Sequence, residues 1–260
     1  MALHVRDLGA GPPVVLLHPG PGLDGSVFLP HVHALVDAGF RAQLVDLPGQ
    51  GRSPGGDYTL RAQASAVEEL MRELERPTLL GHSFGGYVAM QHLVDFPGSA
   101  ARLVASDTEA DEEDPPDAPE DPFEGLPEDV AAGVREAFER ESTVTTQKEC
   151  RQVWRDQMPF FAVDPDKVAP MLDDVVFQVE AHREHDLGEL HALEALAASD
   201  IPVLAIAGSH DRPTPPASAR RIAATAPRGE LLIVDGAGHF PFAEAPDRYW
   251  PPLVDWLART

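Results

Sequence analysis

The chain has 260 residues, 43% of them hydrophobic, and carries a formal charge of −23 from 20 Lys+Arg against 43 Asp+Glu. That length accommodates one catalytic domain with an insertion, and that charge opposes a nucleic-acid or anionic-membrane partner without specifying a cationic substrate, since surface carboxylate also favours solubility. With one cysteine (Cys150), no signal-like N-terminus and no apolar run approaching the roughly 18 residues of a membrane span, the expectation is a soluble cytoplasmic protein without an intrachain disulfide.

Short runs rich in Val, Leu and Ile recur along the chain. Val14–Leu17, Arg41–Val45, Pro77–Leu80, Leu103–Ala105, Val203–Ala207 and Leu231–Val234 have the continuous apolar character of parallel strands covered on both faces. Amphipathic stretches alternate with them. Thr59–Glu75 places Leu60, Ala64, Val67, Leu70, Met71 and Leu74 near one face, Gly85–Phe96 is stopped by Pro97-Gly98, and Arg220–Ala226 and Pro246–Ala258 follow. This alternation predicts an α/β fold with a doubly wound, mostly parallel sheet and right-handed crossovers.

The rhythm fails between 108 and 199. Glu109–Asp129 is dense in Asp, Glu and Pro without a Lys or Arg, a composition suited to an extended, solvated connection. Helical patterns follow at Val130–Arg140, Gln147–Gln157 and Pro170–His185. The expected organisation is a core built from 1–107 and 200–260, with 108–199 inserted as a helical cap headed by the acidic, proline-rich stretch.

Gly81-His82-Ser83-Phe84-Gly85 has the G-x-S-x-G spacing of a nucleophile on a sharp strand-to-helix turn, with a strand signal before it and a helix signal after it. A serine needs a base. His239, in Gly236-Ala237-Gly238-His239-Phe240 after the last strand, fits that role, and Asp211, in Gly208-Ser209-His210-Asp211-Arg212, can orient its Nδ1. Asp107, after the preceding strand, is the rival acid. Oxyanion donors would come from the Phe84 amide and from the loop His18-Pro19-Gly20-Pro21-Gly22, where the prolines have no N–H and Gly20 is better placed than Gly22.

These segments, with Asp46-Leu47-Pro48-Gly49-Gln50-Gly51-Arg52-Ser53, resemble the α/β-hydrolase family across nearly the whole chain. The resemblance implies the α/β-hydrolase fold, the order Ser83, Asp211, His239, and cofactor-free hydrolysis of a small ester or amide. The loop at His18–Gly22 is similar to the H-G-G-P-G segment of proline iminopeptidases but has Pro19 in place of glycine, and the elbow differs from their G-G-S-W-G. That likeness implies Glu180, in Val179-Glu180-Ala181-His182, as a ligand for a substrate ammonium, with Glu184 second. Trp154, Phe160, Phe161, Met171 and Phe177 are candidates for an apolar pocket wall or for packing. His182, His185, Asp186 and His191 read as a solvated helix more readily than as a metal site, because nothing in their spacing supplies converging ligands. Non-hydrolytic chemistry and a small-molecule receptor remain open as alternative functions.

Overall fold

The computed structural model describes residues 2–111, 115, 118–183 and 188–259. Seven strands form one sheet in the order β1-β3-β2-β4-β5-β6-β7. β2 (Pro13–Leu17), β3 (Arg41–Val45), β4 (Thr78–His82), β5 (Arg102–Ser106), β6 (Val203–Gly208) and β7 (Gly229–Val234) are parallel, while β1 (Val5–Leu8) pairs antiparallel with β3 in the register Val5↔Val45. β1 lies outside the predicted strands: it is only four residues long, and its middle residues, Arg6 and Asp7, are exposed. An edge strand of this kind leaves no apolar run to read; here the Arg41–Asp7 ion pair and the ladder to β3 hold it.

Successive residues of the inner strands feed two separate cores. Val14, Leu16, Leu44, Leu80, Val104 and Ile206 pack on one face with Tyr249, Leu253 and Trp256. Val15, Leu17, Leu79, Leu103, Ala105 and Ala205 pack on the other with Val67, Val88, Leu196 and Ile222. The layers come from the helices flanking the strands: α1 (His33–Asp37), α2 (Leu60–Met71), α3 (Phe84–Asp95) and, later in the chain, α8 (Leu193–Ala198), α9 (Pro216–Thr225), α10 (Pro241–Glu244) and α11 (Pro246–Arg259). This is the doubly wound arrangement the sequence predicts.

Between β5 and α8 the chain forms α4 (Glu128–Glu141), α5 (Gln147–Phe161), α6 (Pro165–Val168) and α7 (Val179–Arg183). α5 starts where the sequence places it because Thr146 and Glu149 form a reciprocal capping box. It ends four residues later than predicted, running through Pro159 to Phe161 and burying Met158 and Phe160. The helix expected over Pro170–His185 is instead broken into a 3-10 turn at Ala169–Leu172, an irregular stretch and the short α7. Tertiary partners take that stretch's amides: Val176 donates to Asp24 Oδ2 at 3.0 Å and Gln178 to the Gly22 carbonyl at 2.9 Å. His185, Asp186 and Glu184 lie outside the described residues.

Asp24 is the fastener between core and insertion. Wholly buried, it accepts from Ser26 N at 2.9 Å, from the Ser26 hydroxyl, from Arg52 at 3.2 Å and from Val176 N. Removing such an acceptor strands several buried donors and breaks a part-buried ion pair. Asp24→Ala should therefore lower unfolding free energy by about 3 kcal/mol in urea denaturation; a loss under about 1 kcal/mol would show that water replaces these contacts.

Candidate active site

The functional side chains gather where the parallel strands end. Ser83 follows β4 and caps α3 with φ 54° and ψ −120°, a conformation an L-residue holds only under constraint from its surroundings. The constraint is visible: Ser83 N donates to Ser106 O at 3.0 Å, while Ser83 O accepts from Gly86 N at 2.8 Å and from Thr108 Oγ1 at 2.9 Å. The flanking glycines are required by contact. A Cβ on Gly81 would stand 2.2 Å from Gly85 O, and one on Gly85 would stand 2.2 Å from Leu17 O. The helix can begin this close to the sheet only without side chains there.

Ser83 Oγ lies 2.8 Å from His239 Nε2, and His239 Nδ1 lies 2.9 Å from Asp211 Oδ1. Thr214 supports the acid, its hydroxyl 2.7 Å from Asp211 Oδ2 and its amide 3.3 Å from Oδ1. Of the two candidate acids, Asp211 therefore meets the imidazole. Asp107, fully buried, instead accepts from Gly208 N at 2.8 Å and from Ser106 Oγ at 2.7 Å. Oxygens of Asp107 and Asp211 and a nitrogen of His239 lie within 4.8 Å of one another. With both imidazole nitrogens engaged by Asp211 and Ser83, this cluster has the geometry of a hydrogen-bonded row, not of a metal-ligand set.

His239 is 2% exposed, and its backbone is anchored as firmly as its ring. Its amide donates to Phe161 O at 2.6 Å. The preceding Gly238 N donates to Glu244 Oε1 at 2.8 Å, while Glu244 Oε2 accepts from Val163 N at 2.8 Å and Asp164 N at 3.3 Å. Glu244 thus ties the histidine loop to the end of α5. Burial pushes its carboxyl up from the ordinary range, against the lowering effect of these amides.

A cavity of about 220 Å³ opens over Ser83, bordered by Pro19, Gly20, Phe84, Tyr87, Glu141, Trp154, Phe161, His182, Thr214 and His239. The Phe84 amide is the first of α3 and has no intrahelical acceptor. In the β2 loop, Gly22 N is already donated to Gln50 Oε1 at 2.7 Å, while Gly20, at φ 131°, borders the cavity. His18 steadies this loop. Its ring, kept neutral by burial, accepts from Leu47 N at Nε2 (3.2 Å) and donates from Nδ1 to Pro19 O (2.6 Å).

Among the predicted wall residues, Trp154 and Phe161 border the cavity, stacked on each other at 5.4 Å. Phe177, Met171 and Phe160 do not: they are buried in packing, with Phe177 beneath Arg151 and Phe160 against Phe123 and Phe138. Glu180 is exposed and away from the cavity, whereas His182, two residues on, is buried at its edge. Residues two apart on a helix point to nearly opposite sides, so it is His182 of this helix, not Glu180, that reaches the cavity. Glu141, Tyr87 and Thr214 were not anticipated; only Thr214, three residues after Asp211, carried a local signal. Cys150 is buried, its thiol pushed up to about 11, as befits a small packing residue.

Fold and site together define an alpha/beta hydrolase. The sequence profile of the Alpha/beta hydrolase family matches residues 14–250, and the chain belongs to this family. It is 32% identical over 261 residues, spanning 98% of this chain and 99% of the relative, to a pimeloyl-[acyl-carrier protein] methyl ester esterase of Xanthomonas campestris pv. campestris. Among solved structures, a thermophilic esterase from Thermogutta terrifontis superposes with a TM-score of 0.74 at 24% identity, covering 99% of this chain and 93% of that one. A bromoperoxidase from Bacillus anthracis superposes with a TM-score of 0.75 at 20% identity, covering 98% and 95%. The shared fold thus spans different chemistries, and the reaction must be argued from the site.

If Glu244 is the link described, Glu244→Gln leaves at least one of its amide donors facing another donor. Thermal unfolding and kcat should then decline together, by about 2 kcal/mol in stability, with KM little changed. A fall in stability with full kcat would show that His239 is positioned without it.

Proposed function

We propose that this chain is a serine carboxylesterase that cleaves a small ester through an acyl-enzyme. The observation that carries the reading is the continuous row from Ser83 Oγ through His239 to Asp211, at 2.8 and 2.9 Å, beneath a cavity. Ser83 attacks the ester carbonyl as His239 Nε2 takes its proton, and Asp211 holds the imidazole in the tautomer that permits this and stabilises the cation that forms. The Phe84 and Gly20 amides stabilise the oxyanion, reinforced by the N-terminus of α3. His239 then protonates the departing alcohol, and a water activated by the same imidazole releases the acid. Each step draws on groups of the chain itself.

The substrate class follows from the walls. About 220 Å³ falls below the ~300–1,000 Å³ usual for ligand pockets, and Trp154, Phe161 and Phe240 make it largely apolar. A short acyl group fits such a space. The methyl ester named for the 32%-identical relative supports an ester over an amide. The exposure of Glu180 removes the feature that favoured an aminopeptidase. We take residues 108–199 as the substrate-selecting cap, since Glu141, Trp154, Phe161 and His182 all come from it.

Initial rates on p-nitrophenyl acetate and butyrate beside prolyl and alanyl arylamides test this reading. Ester release should fall by about 10⁴-fold or more in Ser83→Ala, with the arylamides at that variant's background. Prolyl arylamide release dependent on Ser83 would make the enzyme a peptidase; ester cleavage surviving Ser83→Ala would end the acyl-enzyme mechanism. Asp211→Asn should lose about 10³–10⁴-fold in kcat while remaining folded, because the imidazole then favours the wrong tautomer.

A further inference from the structure

The row of hydrogen bonds does not stop at Asp211. β5 ends at Ser106, and Asp107 turns out of it with φ 48°, in the left-handed region. This places the Asp107 carboxyl, fully buried, beside the Asp211 carboxyl, itself only 4% exposed. The groups facing Asp107 come from four elements. His82, at the end of β4, stands with Nδ1 at 3.6 Å; Asp211 follows β6 and His239 follows β7; Tyr249 on α11 donates to Ser106 Oγ at 3.2 Å, which in turn donates to Asp107. His82 is held neutral by burial and by the neighbouring His239, and the Tyr249 phenol is pushed up by burial. Among the described residues, neither carboxyl pairs with a lysine or arginine.

Two carboxylates this close, shut away from water and without a permanent cation, cannot both stay ionised; one keeps a proton. The donors decide which. Asp211 has three hydrogen-bond partners, the His239 ring and both the amide and hydroxyl of Thr214. Asp107 has one amide and one hydroxyl. Burial first, and then the charge of Asp211, raise Asp107 well above the ordinary carboxylate range.

We propose that Asp107 is a neutral carboxylic acid that shares its proton with the Asp211 carboxylate, and is thereby a positioning residue that moderates the hold of Asp211 on His239. This rests on the reading of Asp211 and His239 as the catalytic relay. A neutral donor withdraws charge from Asp211, keeping the imidazole from being locked as imidazolium, and fixes the carboxylate plane against rotation away from Nδ1.

The test separates a neutral Asp107 from an anionic one. Asp107→Asn keeps the shape, the neutrality and a donor towards Asp211, so kcat/KM on p-nitrophenyl butyrate should stay within about threefold of wild type, with the acidic limb of its pH profile unmoved. Asp107→Leu removes the donor; its kcat/KM should fall about tenfold or more and its acidic limb should move to higher pH. An acidic limb displaced by about one unit to lower pH in Asp107→Asn would mean that a negative charge had been removed, and would overturn the proposal. Infrared spectra of protein labelled with ¹³C-carboxyl aspartate need neither turnover nor a folded Asp107 variant. A protonated aspartate C=O band should be present at pH 7 in wild type and displaced in Asp211→Asn, where the partner of the Asp107 proton changes from a carboxylate to an amide. No such band in wild type would overturn the proposal even if Ser83 proves to be the nucleophile. The band with hydrolysis independent of Ser83 would leave the shared proton standing and discard the catalytic relay.

Discussion

The placement of one imidazole governs this molecule. His239 must meet Ser83 on one nitrogen and Asp211 on the other, and those partners arrive from different strands of the sheet. The parallel register brings the ends of β4, β6 and β7 to the same edge, and three anchors reduce the remaining freedom: the carboxylate at Nδ1, the Phe161 carbonyl at the backbone amide, and the Glu244 carboxylate at the amide before it. The strained backbone of Ser83 follows from the same demand, because the hydroxyl reaches Nε2 only if the chain reverses sharply between β4 and α3.

Much of this was legible in the sequence, and the reasons differ from place to place. The inner strands are buried on both faces, so composition alone marks them. Gly81 and Gly85 could be read because the chain crosses too closely there for a Cβ, a demand that leaves the same mark wherever the turn occurs. Asp211 could be nominated with Asp107 as its rival, since both follow a strand and both are aspartates; how far each loop reaches is not encoded in the local sequence. The edge strand β1 stayed hidden because a four-residue strand with an exposed middle has no period to detect.

The insertion was the least readable part. The helical pattern ends near Gln157, yet α5 runs on through Pro159, which has no N–H to give the Arg155 carbonyl, and continues far enough to bring Phe161 to the cavity. The stretch after Ala169 carried a helical pattern, but its amides found better acceptors in Asp24 and Gly22. In both places tertiary hydrogen bonds override local preference. The aromatic residues had looked equivalent in sequence; the structure divides them, with Trp154 and Phe161 at the cavity and Phe160 and Phe177 in packing.

The bond between Phe161 O and His239 N joins main chain to main chain. Any amino acid at 161 offers the same carbonyl, so this anchor persists even where a new side chain alters the ring contact between Phe161 and His239. The scaffold thereby separates two kinds of inheritance. Selection can rewrite the wall that greets the substrate, residue by residue, while the main-chain hold on the histidine loop stays in place.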